Sequence, residues 1–172
     1  SSQLALRLRS GVESLESAQP WLRPERFIES DHPGVQRLAA ELKQQTPRES
    51  VHALFEWVAD NIRYEAYIAD DLGAAFALRE RRGDCTEYAY LATALARAQG
   101  LPARMVGGYV VDQDVSLAAR DYHNWAEVHF DGAWQVVDPQ KRVCEALGAI
   151  EQAYVAFRMY RDTATNNVGL AH

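Results

Sequence analysis

RGDCTEYAYLATALARAQGLPARMVGG, residues 82–108, is the stretch whose reading decides the fold. Gly83 breaks the preceding helical pattern, Asp84 can cap a new helix, and Glu87 stands three residues on, the spacing of a capping box. That places Cys85 at the first helical position. Tyr88, Leu91, Ala92, Leu95 and Gln99 follow one face, while Ala89, Ala94, Ala96 and Ala98 keep the helix slim enough for close packing. Gly100 supplies a left-handed stop and Pro102 prevents re-entry. The reading is a central, buried helix with a thiol at its start, followed from Ala103 by a strand.

Downstream, the apolar period changes to two. The runs ARMVGGYVVD (103–112), YHNWAEVHF (122–130) and AWQVVD (133–138) read as strands, the first two joined by a polar excursion. Asp131-Gly132 between the last two is the strongest short hairpin signal a sequence offers. With those two residues as the turn, Phe130 faces Ala133 and Trp125 faces Asp138. Parity then puts His123, Trp125, Glu127 and His129 on one face with Trp134, Val136 and Asp138. His123 becomes a diagonal neighbour of Asp138, at the ~7–8 Å backbone separation across which an imidazole and a carboxylate can meet.

Upstream, Thr46-Pro47-Arg48-Glu49 combines a Thr cap, Pro at the first position and Glu at the third. Val51, Leu54, Phe55, Val58 and Ile62 continue as an apolar stripe, so a helix is predicted over 47–62. Asp31-His32-Pro33 marks an earlier helix with Asp31 as its cap and Val35, Leu38, Ala39 and Leu42 inward. A shorter helical piece, AAFALRERR (74–82), ends in Arg79, Glu80, Arg81 and Arg82. This run reads as a solvated helix end, with an anion site as the alternative.

The expected layout is a single α+β domain over 1–172, with an N-terminal arm at 1–30, a catalytic core at 31–139 and a C-terminal helical extension and tail at 140–172. In the arm, Leu4, Leu8, Val12 and Leu15 have helical spacing, and QPWLRPERF then wraps the surface. In the extension, Leu147, Ile150, Tyr154 and Phe157 have helical spacing. With 172 residues, 48% of them apolar and 24% charged, the chain suits one ordinary core. Its net charge of −6, with arginines scattered among acids, excludes a nucleic-acid backbone binder. No apolar run approaches the ~20 residues a transmembrane segment needs. The Ser-Ser start without a hydrophobic leader reads as a processed or trimmed N-terminus.

Cys85, His123 and Asp138 have dull explanations taken singly, but together they make a set. The helix macrodipole and an adjacent imidazolium both favour thiolate, and such pairing can bring a thiol pKa from about 8.5 to about 3–4. Cys85 would be the nucleophile, His123 its ion-pair partner and the acid for the leaving group, and Asp138 the group that fixes the imidazole. The two cysteines, Cys85 and Cys144, form neither a disulfide framework nor a zinc ribbon. A metal site from Cys85, His123, His129 and Cys144 fails on spacing, since six residues of strand separate the two histidines by roughly 20 Å.

GDCTEYAYLATALARAQGLPARMVGGYV, followed by YHNWAEVHFDGAWQVVDP, resembles the core of the transglutaminase-like superfamily. The matching pieces are GDC at a helix start, a GLPAR-type exit into a GY-containing strand, an H-x-W-x-E-V strand and a W-x-x-x-D-P strand end. The resemblance covers residues 47–139, and LRPERFIESDHPGVQRLAAEL is similar to the helical lead-in of bacterial members. It implies a papain-like fold with Cys85 as nucleophile, His123 as base and Asp138 as orienting acid, and it implies no cofactor and no metal. It further implies a peptide or protein substrate and amide hydrolysis through a thioester. Protein-glutamine acyl transfer and a catalytically silent interaction domain are the alternatives, and an extracytoplasmic location is implied. The Cys85 N–H is one oxyanion donor by its place at a helix start. Tyr64 is the candidate for the second, with Trp57 behind it, and Trp125 is the candidate shield from water. Glu87 reads as a cap and Cys144 as structural.

Overall fold

A computed structural model of the chain describes residues 17–66, 68–111, 118, 121–146, 153–160 and 168–169. Helix α1 (Pro33–Leu42) begins at the expected proline, but its cap is His32, not Asp31. Asp31 lies one residue too early, whereas His32 directly precedes the helix and its Nδ1 accepts the Gly34 N–H at 3.1 Å. Helix α2 (Pro47–Asn61) carries the full capping box: Thr46 Oγ1 accepts the Glu49 N–H at 3.2 Å and the Glu49 carboxylate accepts the Thr46 N–H at 3.2 Å.

Strand β1 (Arg63–Tyr64), helix α3 (Ala74–Glu80) and strand β2 (Arg82–Gly83) then deliver the chain to helix α4 (Cys85–Ala98). Two-residue β1 and β2 pair in parallel, with Tyr64 beside Gly83. From Glu87 to Arg97 every residue of α4 is buried. Such a helix is mostly apolar on every side, with Glu87, Thr93 and Arg97 as its buried polar residues, because it is covered all round: α1, α2 and α3 and the sheet all pack on it.

The sheet is built from β3 (Ala103–Val111), β4 (Tyr122–Phe130), β5 (Ala133–Asp138), β6 (Val143–Ala146), β7 (Ala153–Tyr160) and β8 (Val168–Gly169). Its order is β6-β5-β4-β3-β7-β8, and every pairing is antiparallel. The β4–β5 hairpin has the expected register, Phe130 opposite Ala133 and Ala126 opposite Val137. Its turn residues have positive φ, 52° at Asp131 and 78° at Gly132, as a tight hairpin between twisted strands requires. Ala126, Val128, Phe130 and Val137 join the helices in the main core. The alternate residues Trp125 and Val136, with Val106 and Tyr154, form a second, smaller cluster.

Two expectations fail here. The C-terminal extension is not helical where it is described: residues 143–146 and 153–160 are strands, and β7 lies along β3. A helix there would leave one edge of β3 unpaired, whereas AYVAFRMY supplies aromatic and branched residues and a backbone ladder to fill it. Leu147 and Ile150 lie outside the described residues. The arm is not a surface strap. Trp21 is buried edge-on against Trp134 at 5.9 Å, Phe27 tilts against Tyr90 at 5.6 Å and Ile28 is fully buried. Prolines only direct this segment, and the large apolar area of its side chains draws it inward. Leu4, Leu8, Val12 and Leu15 fall outside the described residues. Among those residues, no helix is long and apolar enough to cross a membrane.

Gly83 sits where an added Cβ would collide with the Cβ of Glu87. Gly83→Ala is therefore expected to lower the unfolding free energy by about 1–3 kcal/mol through overpacking. Urea denaturation checks this: the midpoint falls at unchanged slope, and a wild-type midpoint contradicts so close an approach.

Candidate active site

The start of α4 is held by two carboxyl groups that each face two ways. Asp84 accepts the Thr86 N–H through Oδ1 at 2.8 Å and the Ile68 N–H through Oδ2 at 3.0 Å. Glu87 accepts the Asp84 N–H through Oε2 at 3.2 Å and the Leu72 N–H through Oε1 at 3.1 Å. One oxygen of each caps the helix, and the other pins the segment that crosses over it. Burial and the charge of Asp84 push Glu87 up to about 7, against the pull of its two N–H donors. With no solvent exposure and both oxygens engaged, Glu87 is a cap, as its spacing predicted. Cys85 stands between these two groups at the first helical position, half-buried and outside any disulfide.

Strand β4 brings His123 to that thiol. The ring is buried, its Nε2 lies 2.7 Å from Asp138 Oδ2, and Cys85 also favours charge on it, leaving Nδ1 as the nitrogen available to the thiol. Burial opposes charge on the imidazole, but the hydrogen bonds to Asp138 and Cys85 outweigh it and raise the pKa to about 9. Asp138, itself 1% exposed, accepts further bonds from the Tyr154 hydroxyl on Oδ2 at 3.0 Å and from the Lys141 N–H on Oδ1 at 3.2 Å. The carboxylate is thus oriented from three directions.

Next to this set, β4 is tied directly to α4: Asn124 Nδ2 donates to Thr86 Oγ1 at 3.1 Å, one residue beyond His123 and Cys85 respectively. The facing residues of β3 are Gly107 and Gly108, opposite Asn124 and His123. A Cβ on Gly107 would run into Tyr122 Oη, and one on Gly108 into the Val155 carbonyl oxygen, so only glycine admits this packing.

Trp125 is fully buried and its ring stacks at 26° to His123, centroids 6.1 Å apart. Its Nε1–H donates to Glu127 Oε2 at 3.3 Å, and Glu127 Oε1 is held by Arg104 at 2.8 Å. Tyr64 is 53% exposed and is placed beside Gly83, two residues before the thiol. Trp57 is not brought to the site. Its ring lies 4.5 Å below the Arg81 guanidinium and lines a cavity that includes none of Cys85, His123 and Asp138. His129 is edge-on to Trp134 at 5.3 Å near the hairpin turn, and Cys144 packs against the main core. No group of three or more metal-ligating side chains occurs among the described residues.

Sequence reasoning missed Tyr154, which it had assigned to a helix. Burial and the neighbouring Asp138 charge drive its hydroxyl pKa upward, so it remains a donor. The alternating apolar and aromatic run AYVAFRMY was the signal that would have found the strand, and with it a tyrosine facing the other strands.

Two outcomes are expected. The raised His123 pKa means that its contribution to stability is complete below the ordinary imidazole value of 6.5 and is lost as pH rises through about 9. Cys85→Ala removes one of the two partners that raise it, so the ring's titration midpoint, followed by NMR, falls below about 9. An unmoved midpoint refutes the thiol contact. Tyr154→Phe keeps the ring against Trp125 but removes a donor from a charged oxygen, an expected loss of about 1.5–3 kcal/mol in chemical denaturation.

The profile of the Transglutaminase-like superfamily matches residues 36–139. A protein of Cytophaga hutchinsonii described as a candidate cysteine protease superimposes on 86% of this chain and 48% of its own, at 27% identity and a TM-score of 0.65. The periplasmic domain of TgpA from Pseudomonas aeruginosa, solved bound to ethylmercury, does so on 73% and 48%, at 27% identity and 0.55. The kyphoscoliosis peptidase of Homo sapiens is 28% identical over 116 residues, 61% of this chain and 18% of that protein. The chain spans less than half the length of each of these relatives. A profile match over more than half its residues, on an α+β fold shared with these structures, places the chain in the family: it belongs to the transglutaminase-like superfamily.

Proposed function

We propose that this chain is a cysteine-dependent amide hydrolase acting on peptides or proteins through a thioester at Cys85. The observation that carries the reading is one imidazole held between a thiol at a helix start and a buried, triply hydrogen-bonded carboxylate. An imidazole that retains its proton to about pH 9 next to a sulfur is the arrangement of a thiolate–imidazolium pair. The likeness to a candidate cysteine protease and to a peptidase supports peptide substrates. The likeness to a periplasmic domain supports an extracytoplasmic location.

On this reading the steps are as follows. Cys85 Sγ attacks the amide carbonyl carbon, forming the C–S bond, and negative charge moves to the carbonyl oxygen. The Cys85 N–H, free of any intrahelical acceptor at its position, faces that charge as one donor, and we assign the second to Tyr64. His123 Nδ1 gives its proton to the amide nitrogen as the C–N bond breaks and the amine leaves. Water then attacks the thioester carbon as His123 takes one of its protons, and the C–S bond breaks with that proton passed to Sγ, which frees the acid and restores the Cys85 thiol. Asp138 holds the ring's orientation through its bond to Nε2. An amine in place of that water would give acyl transfer by the same route.

Iodoacetamide alkylation of Cys85 near pH 6 is expected to exceed that of Cys144 by about an order of magnitude, with the excess lost in His123→Ala. Equal rates in the two proteins defeat the ion pair. A glutamine-containing peptide offered with a labelled amine then separates the two fates of the thioester: ammonia or peptide release without label is the expected result, and amine incorporation establishes acyl transfer.

A further inference from the structure

A cavity of about 360 Å³ lies between α1, α2 and α3, apart from the thiol and its partners. Trp57 and Leu78 give it an apolar wall, and Arg37, Arg79 and Arg81 a cationic rim, against one carboxylate on the lining, Glu41. Arg79 already bonds Glu80 at 2.7 Å. Among the described residues, Arg37 and Arg81 have no carboxylate within ion-pair distance. Arg81 is the telling residue. It follows α3 in the left-handed conformation, φ 56°, which turns its guanidinium over the Trp57 ring at 4.5 Å. A guanidinium laid on an indole is held in place while its in-plane N–H donors stay open to a carboxylate.

The cavity is also near the chemistry. Four residues of chain, through β2, lead from Arg81 to Cys85, so their Cα atoms are at most ~14 Å apart. Tyr64, the large apolar side chain left exposed among the described residues, is paired beside Gly83 on that path. An extended peptide advances ~3.3 Å per residue. A substrate with its scissile bond at Cys85 and its chain across Tyr64 therefore presents a side chain about four residues away to the cavity.

We infer that this cavity is an exosite for an acidic side chain of the peptide substrate, with Arg81 and Arg37 taking its carboxylate and Trp57 and Leu78 the neighbouring apolar group. The inference rests on the peptide-hydrolase reading above and narrows it to acidic peptides.

The test uses the Cys85→Ala protein, so that binding is read without turnover, and two fluorescein-labelled octapeptides that differ only in a Leu-Glu-Glu-Leu or Leu-Gln-Gln-Leu core. By fluorescence anisotropy the acidic peptide is expected to bind about tenfold tighter, the scale of one charge-assisted contact, and to lose that preference at high salt. Arg37→Ala/Arg81→Ala in the same background, with its fold checked by circular dichroism, is expected to bind both peptides alike. Equal affinities in the parent, failure of either peptide to bind, or a preference that survives the double substitution or high salt overturns the exosite. Alkylation of Cys85 in the unsubstituted chain keeps the two readings apart. A reactive Cys85 without acidic preference removes the exosite alone, and an acidic preference with an inert Cys85 removes the hydrolase.

Discussion

A helix buried from Glu87 to Arg97 needs partners within the fold for the N–H groups at its start, and the double cap on α4 pairs those of Asp84 and Thr86. Asp84 and Glu87 do more than a surface capping box, because each carboxyl uses its second oxygen to fix Ile68 or Leu72 of the overlying segment. The same contacts set the position of Cys85, which has neighbours on both sides in the cap. Gly83 follows from this packing, since the Glu87 side chain occupies the space a larger residue would need. The thiol's placement is thus a by-product of closing off a buried helix, and the helix is buried because three helices and a sheet need a common centre.

On the sheet, the H-x-W-x-E pattern of β4 is a ladder on one face. His123 meets Asp138, Trp125 stacks on His123, Glu127 accepts the Trp125 indole N–H, and Arg104 holds Glu127 beneath the Trp134 ring at 4.0 Å. Each member limits the rotamers of the next, so the imidazole is oriented by a chain of contacts reaching to the hairpin end of the strand. Tyr154 closes the ladder from β7, touching Trp125 edge-on at 5.0 Å while it donates to Asp138. The sheet's opposite face is apolar and packs on the helices, which keeps this polar assembly out of the main core.

Much of this was legible in the residues, and for a common reason. Capping boxes at Thr46 and Asp84, the stop at Gly100 and the Asp131-Gly132 turn are local rules, satisfied by atoms a few residues apart. Strand parity extended one such rule, the hairpin turn, to the meeting of His123 and Asp138, fifteen residues apart, because the side-chain alternation of a strand is rigid. Apart from the α1 cap, which falls on His32 and not on Asp31, the misreadings involve partners distant in sequence. Tyr154 has apolar spacing compatible with a helix until β3 offers it an unpaired edge. The arm looks like a strap until Trp21 finds Trp134. Trp57 is expected behind Tyr64 as second oxyanion donor, but α2 sets its ring under the Arg81 guanidinium.

By itself, then, the sequence determined helices α1 to α4, strands β3 to β5, the hairpin register, the cap that seats Cys85 and the face on which His123 and Asp138 lie. These depend on backbone geometry and on hydrogen bonds within a turn or two, which are the same in any fold that contains them. Tertiary structure alone decided that His123 comes beside Cys85, that Tyr154 reinforces Asp138 and that Arg37, Arg79 and Arg81 line one cavity with Trp57. Those contacts arise when separate elements are pressed together by burial of their apolar faces. No local rule fixes which polar side chains are then left facing one another.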